Sequence, residues 1–295
     1  MKLCIMFDDR IFIKKFPIID GIHNCLDDGA HEDRIKKVEI STYSERAGRF
    51  DERRMLNLTA EHQEIMAPLM SLPQESVILE VGGGDGRFAF YLMRKGYTVI
   101  ESDIAIGSVQ KTKAIAESSN IPNGVFAVID AENLPFKDNS LDAIFMVASL
   151  HHLPRPEKAI AEFNRCLKSG GYLLILREPA SWQYKLFGPL FWLIRKAVRK
   201  KNKNSVSLAD DETGGFSVKQ YKKLLIGFNN LELRPVSYSY KYYYNFLLLA
   251  GKLYNKSIRE SAPVKKIFKK ADNLAGKLPI IKNYPWDWDV YCRKK

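Results

Sequence analysis

The chain has 295 residues, 46% hydrophobic and 27% charged, with 18 Gly and 13 Pro, which excludes a disordered, collagen-like or disulfide-stapled miniature protein and leaves room for one large or two modest domains. The formal net charge is +12 and it is uneven: residues 1–180 hold 22 Lys and Arg against 26 Asp and Glu, whereas residues 181–295 hold 24 against 8. A basic half suits nucleic acid, an anionic membrane surface or an acidic substrate, or is a solvated surface with no partner.

Residues 1–42 read as an N-terminal appendage in which 3–7 and 11–16 pair as a hairpin through Asp8, Asp9 and Arg10. The apolar run at 3–7 is too short for a secretory signal, and the most apolar stretches, 186–194 and 242–254, fall short of the roughly 18–20 residues that span a bilayer. Cys4, Cys25, Cys166 and Cys292 lie far apart without metal-ligand spacing, so no disulfide framework and no metal are expected. A cytoplasmic protein follows, with peripheral membrane contact open to it. Residues 43–70 carry apolar positions at helical spacing that end before Pro73.

From residue 77 to about 178, short apolar runs alternate with helical stretches; the strand candidates are 77–81, 98–102, 125–129, 143–148 and 172–176. Nearly continuous apolar strands separated by helices predict an α/β fold with a doubly wound parallel sheet covered on both faces. Strand character returns at 231–238 and 286–293.

The first strand runs straight into glycines, VILEVGGGDG over 77–86, before a helix at 87–95. Glycines without Cβ atoms let the backbone turn tightly and approach a ligand, and the helix start offers unpaired N–H donors. Asp85 inside the loop would repel a pyrophosphate, and the third glycine follows after one residue rather than two, so a ligand without phosphates is favoured. Asp103 at the end of the second strand is placed to accept from ribose hydroxyls, or to cap a helix. Asp130 and Ala131 leave the third strand where a carboxylate and a backbone N–H can read an adenine edge. Three strand ends point at one nucleoside.

The strings ILEVGGGDGRF, GYTVIESDIA, DAENLPFKDNSLDAIF and ASLHHLPRPEKAIAEFNRCLKSGGYLLIL, followed by REP, resemble a class I S-adenosylmethionine-dependent methyltransferase of the ubiquinone and menaquinone biosynthesis type. The resemblance implies a Rossmann-like seven-stranded sheet in 3214576 order with the last strand antiparallel, and S-adenosylmethionine as cofactor with S-adenosylhomocysteine as product. It puts Gly82, Gly83, Gly84 and Gly86 under the methionine moiety, Glu80 at the loop's base, Asp103 on the ribose, Ile104 on the adenine, and Asp130 with Ala131 at the adenine edge. Glu101 stands where the family usually has Gly. Residues 43–295 would form the methyltransferase unit.

In-line displacement at a sulfonium needs positioning of the acceptor, and a base only where the acceptor must lose a proton. His151 and His152, just beyond the fourth strand, are the candidate catalytic bases, with packing or pocket lining as the competing role; Glu178 is a further candidate. Tyr43 and Arg49 reach either the cofactor carboxylate or a helix surface. A nucleic-acid methyltransferase remains an alternative, disfavoured because Ser149-Leu150-His151-His152 replaces an N-P-P-Y-like tetrapeptide and no Cys precedes Pro. A non-catalytic nucleoside-binding scaffold is the second alternative. Insertions at about 180–215 and 240–285 predict a lid or substrate-binding subdomain over a small-molecule or lipid-like acceptor. In the second, Val264, Ile267, Phe268, Ala271, Leu274, Ala275 and Leu278 mark an apolar helix face, with Lys265, Lys266, Lys269 and Lys270 opposite, a pattern suited to an anionic membrane surface. Oligomeric state is not legible.

Overall fold

A computed structural model describes residues 10–27, 33–186, 214–244 and 261–295, together with positions 188, 196 and 247. Most of the 186–194 and 242–254 apolar stretches lies outside the described residues, as does the 3–7 arm of the expected hairpin. The 11–16 arm forms no strand beyond an isolated bridge of Phe12 to Phe136; the hairpin of this region lies further on, where β1 (Ile18–Ile19) and β2 (Ile22–Asn24) pair antiparallel through Asp20 and Gly21, both at positive φ. Asn and Asp tolerate that region and glycine favours it, which makes Asp-Gly the stronger turn signal than Asp-Asp-Arg.

Three short helices follow, α1 (Arg34–Ala47), α2 (Glu52–Leu56) and α3 (Ala60–Ile65), capped by Asp33, Asp51 and Thr59 side chains that accept from first-turn amides. The helix α1 runs through residue 42, the boundary expected between the appendage and the main unit. The alternating region then gives β3 (Val77–Val81), α4 (Arg87–Arg94), β4 (Thr98–Asp103), α5 (Ile106–Ser118), β5 (Gly124–Val128), β6 (Leu141–Val147), α6 (Pro156–Cys166) and β7 (Leu167–Pro179). The C-terminal part adds α7 (Val218–Leu224), β8 (Phe228–Val236), α8 (Ala262–Ala275) and β9 (Asp287–Lys294).

The strands form one sheet in the order β1-β2-β5-β4-β3-β6-β7-β9-β8. Counting from β3, this is the 3214576 arrangement: β5, β4, β3, β6 and β7 pair in parallel, and β9 lies antiparallel between β7 and β8. The expected seven strands become nine because β2 adds itself in parallel to the edge of β5, through His23 opposite Ala127 and Asn24 opposite Val128. This covers an edge that would otherwise present unpaired backbone groups.

Alternate residues of each strand feed two cores, which is why the strands read as unbroken apolar runs. Leu79, Ile144, Ile175 and Val290 face Ala159, Ile160, Phe163 and Cys166 of α6 on one side. Ile78, Val99, Phe145 and Leu174 meet Phe88, Leu92 and Met93 of α4, with Met55, Met66 and Leu69, on the other. The strand order reverses between β4 on one side of β3 and β6 on the other, and in such sheets ligands bind beyond the carboxyl ends of the strands at that point.

Candidate active site

The reversal point opens into a cavity of about 270 Å³ at the carboxyl ends of β3, β4, β5 and β6. Its floor is the glycine loop. Gly82, Gly84 and Gly86 have φ of 64°, 58° and 65°, a conformation strained for any other residue. A Cβ on Gly82 would lie 2.9 Å from Ser149 Cβ, and one on Gly83 2.7 Å from Glu101 Oε1, whereas one on Gly84 meets nothing within 4 Å, because that glycine faces the cavity.

Asp103 locks the loop to β4: Oδ2 accepts from Gly84 N at 3.0 Å and Oδ1 from Ala105 N at 2.9 Å. Asp103 lines the cavity, and it is not the cap of α5: that position is Ala105, with no side-chain cap hydrogen bond. Burial pushes its carboxyl up despite the two amides that favour the charged form. Of the predicted residues, Gly82, Gly83, Gly84, Asp103, Ile104, Asp130 and Ala131 all line the cavity.

Two of the predicted cofactor-binding residues do not. Glu80 is buried beneath the loop, where Oε2 accepts from Ala89 N at 3.1 Å and fixes α4 against β3; burial and the nearby Glu101 and Asp85 raise its carboxyl well above the ordinary value. Gly86 is the left-handed residue before α4, packed on Thr112. Glu101 lies opposite Glu80 on the neighbouring strand. Its Oε2 accepts from Thr112 Oγ1 at 2.9 Å, Oε1 has no partner, and burial with Asp103 and Asp85 nearby pushes the group up to about 8. Asp85 itself stands 3.3 Å from Arg87 Nη1 and 3.9 Å from Arg54 Nε, so its repulsion of an anion is weaker than the sequence suggests.

The histidines separate. His151 turns away: its Nδ1 lies 2.8 Å from Glu178 Oε2, and it does not line the cavity. Glu178 also accepts from the backbone N–H groups of Ser149, Leu150 and His151. Burial raises that carboxyl, but His151 and these amides outweigh it and hold it below the ordinary value, so Glu178 is an anchor for the turn rather than an available base. His152 faces the cavity, with Nδ1 3.2 Å from Glu39 Oε2 and Nε2 3.5 Å from Tyr43 Oη. Arg49 is exposed and does not line the cavity.

The wall that the sequence did not announce is α1. Lys36, Glu39 and Tyr43, at i, i+3 and i+7, all face the cavity. Lys36 Nζ lies 2.6 Å from Asp130 Oδ2 and 2.7 Å from Glu132 Oε2, and Arg155 closes on Glu132 from the other side at 2.8 Å. Buried charges persist only when paired in this way. The signal was a run of charged residues three and four apart, which reads equally as a solvated face. Among the described residues, no group of three or more His, Cys, Asp and Glu could hold a metal ion.

A methyltransferase-domain family matches residues 79–175. The phthiotriol/phenolphthiotriol dimycocerosates methyltransferase 1 of Mycobacterium ulcerans is 32% identical over 150 residues, 49% of this chain and 52% of that protein. The ubiquinone/menaquinone biosynthesis C-methyltransferase of Brucella abortus is 34% identical over 103 residues, 33% of this chain and 38% of that protein. The match thus spans about half the length of the first relative and less of the second. Among solved structures, phosphoethanolamine N-methyltransferase 2 of Haemonchus contortus, in complex with S-adenosyl-L-methionine, superposes with a TM-score of 0.55 at 15% identity, covering 90% of this chain and 59% of that one, a likeness of fold alone.

Proposed function

We propose, from the match of residues 79–175 to a methyltransferase-domain family and the 3214576 order of the sheet, that the protein transfers a methyl group from S-adenosylmethionine to a small-molecule or lipid-like acceptor. The observation that carries this reading is the convergence of three strand ends, Gly82–Gly84, Asp103–Ile104 and Asp130–Ala131, on one cavity at the sheet's reversal point. A glycine facing open space, a buried carboxylate at the end of β4 and a second at the end of β5 fit a nucleoside with an amino-acid tail. In this reading Asp103 accepts from the ribose hydroxyls, Ile104 packs on the adenine, and Asp130 with the Ala131 amide holds the adenine edge. The cofactor supplies an activated methyl group on a sulfonium and leaves as S-adenosylhomocysteine.

The chain's own part is to position the acceptor and take its proton. A carboxylate at Nδ1 favours the tautomer protonated there, which leaves Nε2 of His152 as the acceptor atom. The proton from an acceptor hydroxyl, amine or carbon acid passes to that nitrogen, and Glu39 balances the imidazolium. Tyr43 Oη, beside Nε2, orients the ring or the acceptor. Phe50, Met146 and Leu153 give the cavity apolar walls suited to a lipid-like group. The mycobacterial relative's name includes a dimycocerosate, which favours the same acceptor class. Residues 43–295 would act as one unit, with the insertions at about 180–215 and 240–285, parts of which lie outside the described residues, as a lid or substrate-binding subdomain.

Incubation with methyl-labelled cofactor and fractionated cell extracts tests the reading. Label is expected in an organic-soluble or small-molecule product and is lost with Asp103→Ala. Label confined to nucleic acid, or the same labelling with Asp103→Ala, would contradict it.

A further inference from the structure

The helix α8 does not present the face its sequence pattern suggests. Phe268, Lys269 and Asp272 point toward the protein: Tyr243 stacks on Phe268 with ring centroids 4.8 Å apart, Lys269 Nζ lies 2.5 Å from Glu61 Oε2, and Asp272 Oδ1 accepts from Ser239 Oγ at 2.7 Å. Lys265 and Lys269 also lie over the Tyr240 ring. With that arc turned in, the opposite arc is left outside. Ile267 and Leu274 are 66% and 64% exposed, and no residue of α8 is buried.

The stripe continues past the helix end, where Leu278, Ile280, Ile281 and Tyr284 are exposed. Solvent-facing Ile and Leu scattered singly need no explanation, but a contiguous set marks a contact surface. Its charge states the partner. Residues 262–284 hold six lysines and one acid, and that acid, Asp272, is spent on Ser239. Lys266, Lys270, Lys277 and Lys282 are exposed beside the apolar stripe. An apolar stripe bordered by lysines, with a tyrosine at its margin and no outward acid, is complementary to a bilayer with anionic headgroups, where apolar side chains enter the acyl boundary and lysines stay at the phosphates.

The position suits that use. Glu61, which holds Lys269, also receives Arg177 Nη2 at 3.2 Å, and Arg177 stands at the carboxyl end of β7, on the edge of the sheet where the cavity opens. We infer that the outward arc of α8, with residues 278–284, is a docking face for an anionic membrane, which sets the cavity's edge of the sheet against the bilayer. The purpose of the contact rests on the lipid-like acceptor proposed above; the contact itself rests on the exposed stripe and its charge.

Co-sedimentation of the full chain with phosphatidylcholine vesicles, with and without phosphatidylglycerol, tests it, alongside calorimetric titration with S-adenosylmethionine. Binding to the anionic vesicles that weakens with salt and is at least tenfold poorer to neutral ones is expected. Ile267→Asp with Leu274→Asp should lower it tenfold or more, and Lys266→Glu with Lys270→Glu should remove the preference for anionic vesicles. Both variants change exposed residues only, so their melting curves and cofactor titrations should match the wild type. Vesicle binding unchanged in both variants, no vesicle binding by the wild type, or a wild-type dimer that Ile267→Asp with Leu274→Asp dissociates would overturn the inference, the last by giving the face to a second copy. Vesicle binding without cofactor binding would instead overturn the proposed reaction and leave the docking face standing.

Discussion

His152 and Glu101 show how burial and partners set the work of single side chains. His152 lines the cavity with the Glu39 carboxylate 3.2 Å from one ring nitrogen and Tyr43 Oη 3.5 Å from the other, whereas its neighbour His151 is spent on Glu178. Replacing His152 with Ala should lower kcat by about 10²–10⁴-fold, the usual weight of a positioned general base, with the cofactor Kd unchanged. His151→Ala should instead lower the melting temperature, because it leaves Glu178 buried with one partner fewer. An equal kcat loss in both variants, with stability untouched, would contradict this division. Glu101 makes a separate prediction in pH. Its folded pKa, pushed up to about 8, lies above the ordinary 4.5, so the unfolded chain releases this proton first and stability drains away as pH rises between those values, levelling above. Glu101→Gln should remove that slope, so its urea midpoint, measured at several pH values across this window, should gain on the wild type as pH rises. A midpoint difference independent of pH would refute it.

At the scale of elements, the strands and the glycine loop were legible and α1 was not. The run 77–81 forms β3 with the bounds read from the sequence, because a five-residue apolar strand ending in glycines has few other outcomes. The strand expected at 172–176 extends to Leu167–Pro179, since pairing with both β6 and β9 carries it past its apolar centre. The helix α1 buries Lys36, Glu39 and Thr42, with Lys36 paired to distant carboxylates and Glu39 beside His152, so no apolar period betrays it. In α8 the apolar period was present but does not turn as one face: Ile267 and Leu274 are exposed, while Phe268 stacks on Tyr243 and Lys265 and Lys269 meet the Tyr240 ring and Glu61. The cap of α1 gives a measurable check. Asp33 accepts from Ile35 N at 2.9 Å and Lys36 N at 3.2 Å, and Asp33→Ala should cost about 1 kcal/mol in chemical denaturation while loosening the wall that carries Glu39 and Tyr43. The loop should be less forgiving: Gly82→Val, at φ 64° and against Ser149, should abolish cofactor binding even where the chain folds.

Over the whole molecule, the charge asymmetry follows the division of labour. The acidic-leaning part contains the glycine loop and the carboxylates that line the cavity, while the basic part supplies β8, β9 and the lysine-bordered face of α8. Among the described residues no helix is long and apolar enough to cross a membrane. The sheet order was legible through the motifs that precede each strand, whereas the β1–β2 addition was not, because two- and three-residue strands carry almost no pattern. The central claim is that the cavity at the reversal point holds S-adenosylmethionine through Asp103. Calorimetric titration of the wild type and of Asp103→Ala tests it most directly. One site per chain is expected, with affinity lowered by about 1.5–3 kcal/mol, roughly ten- to 150-fold, when the charged acceptor is removed. No binding by the wild type, or the same affinity in both proteins, would contradict it.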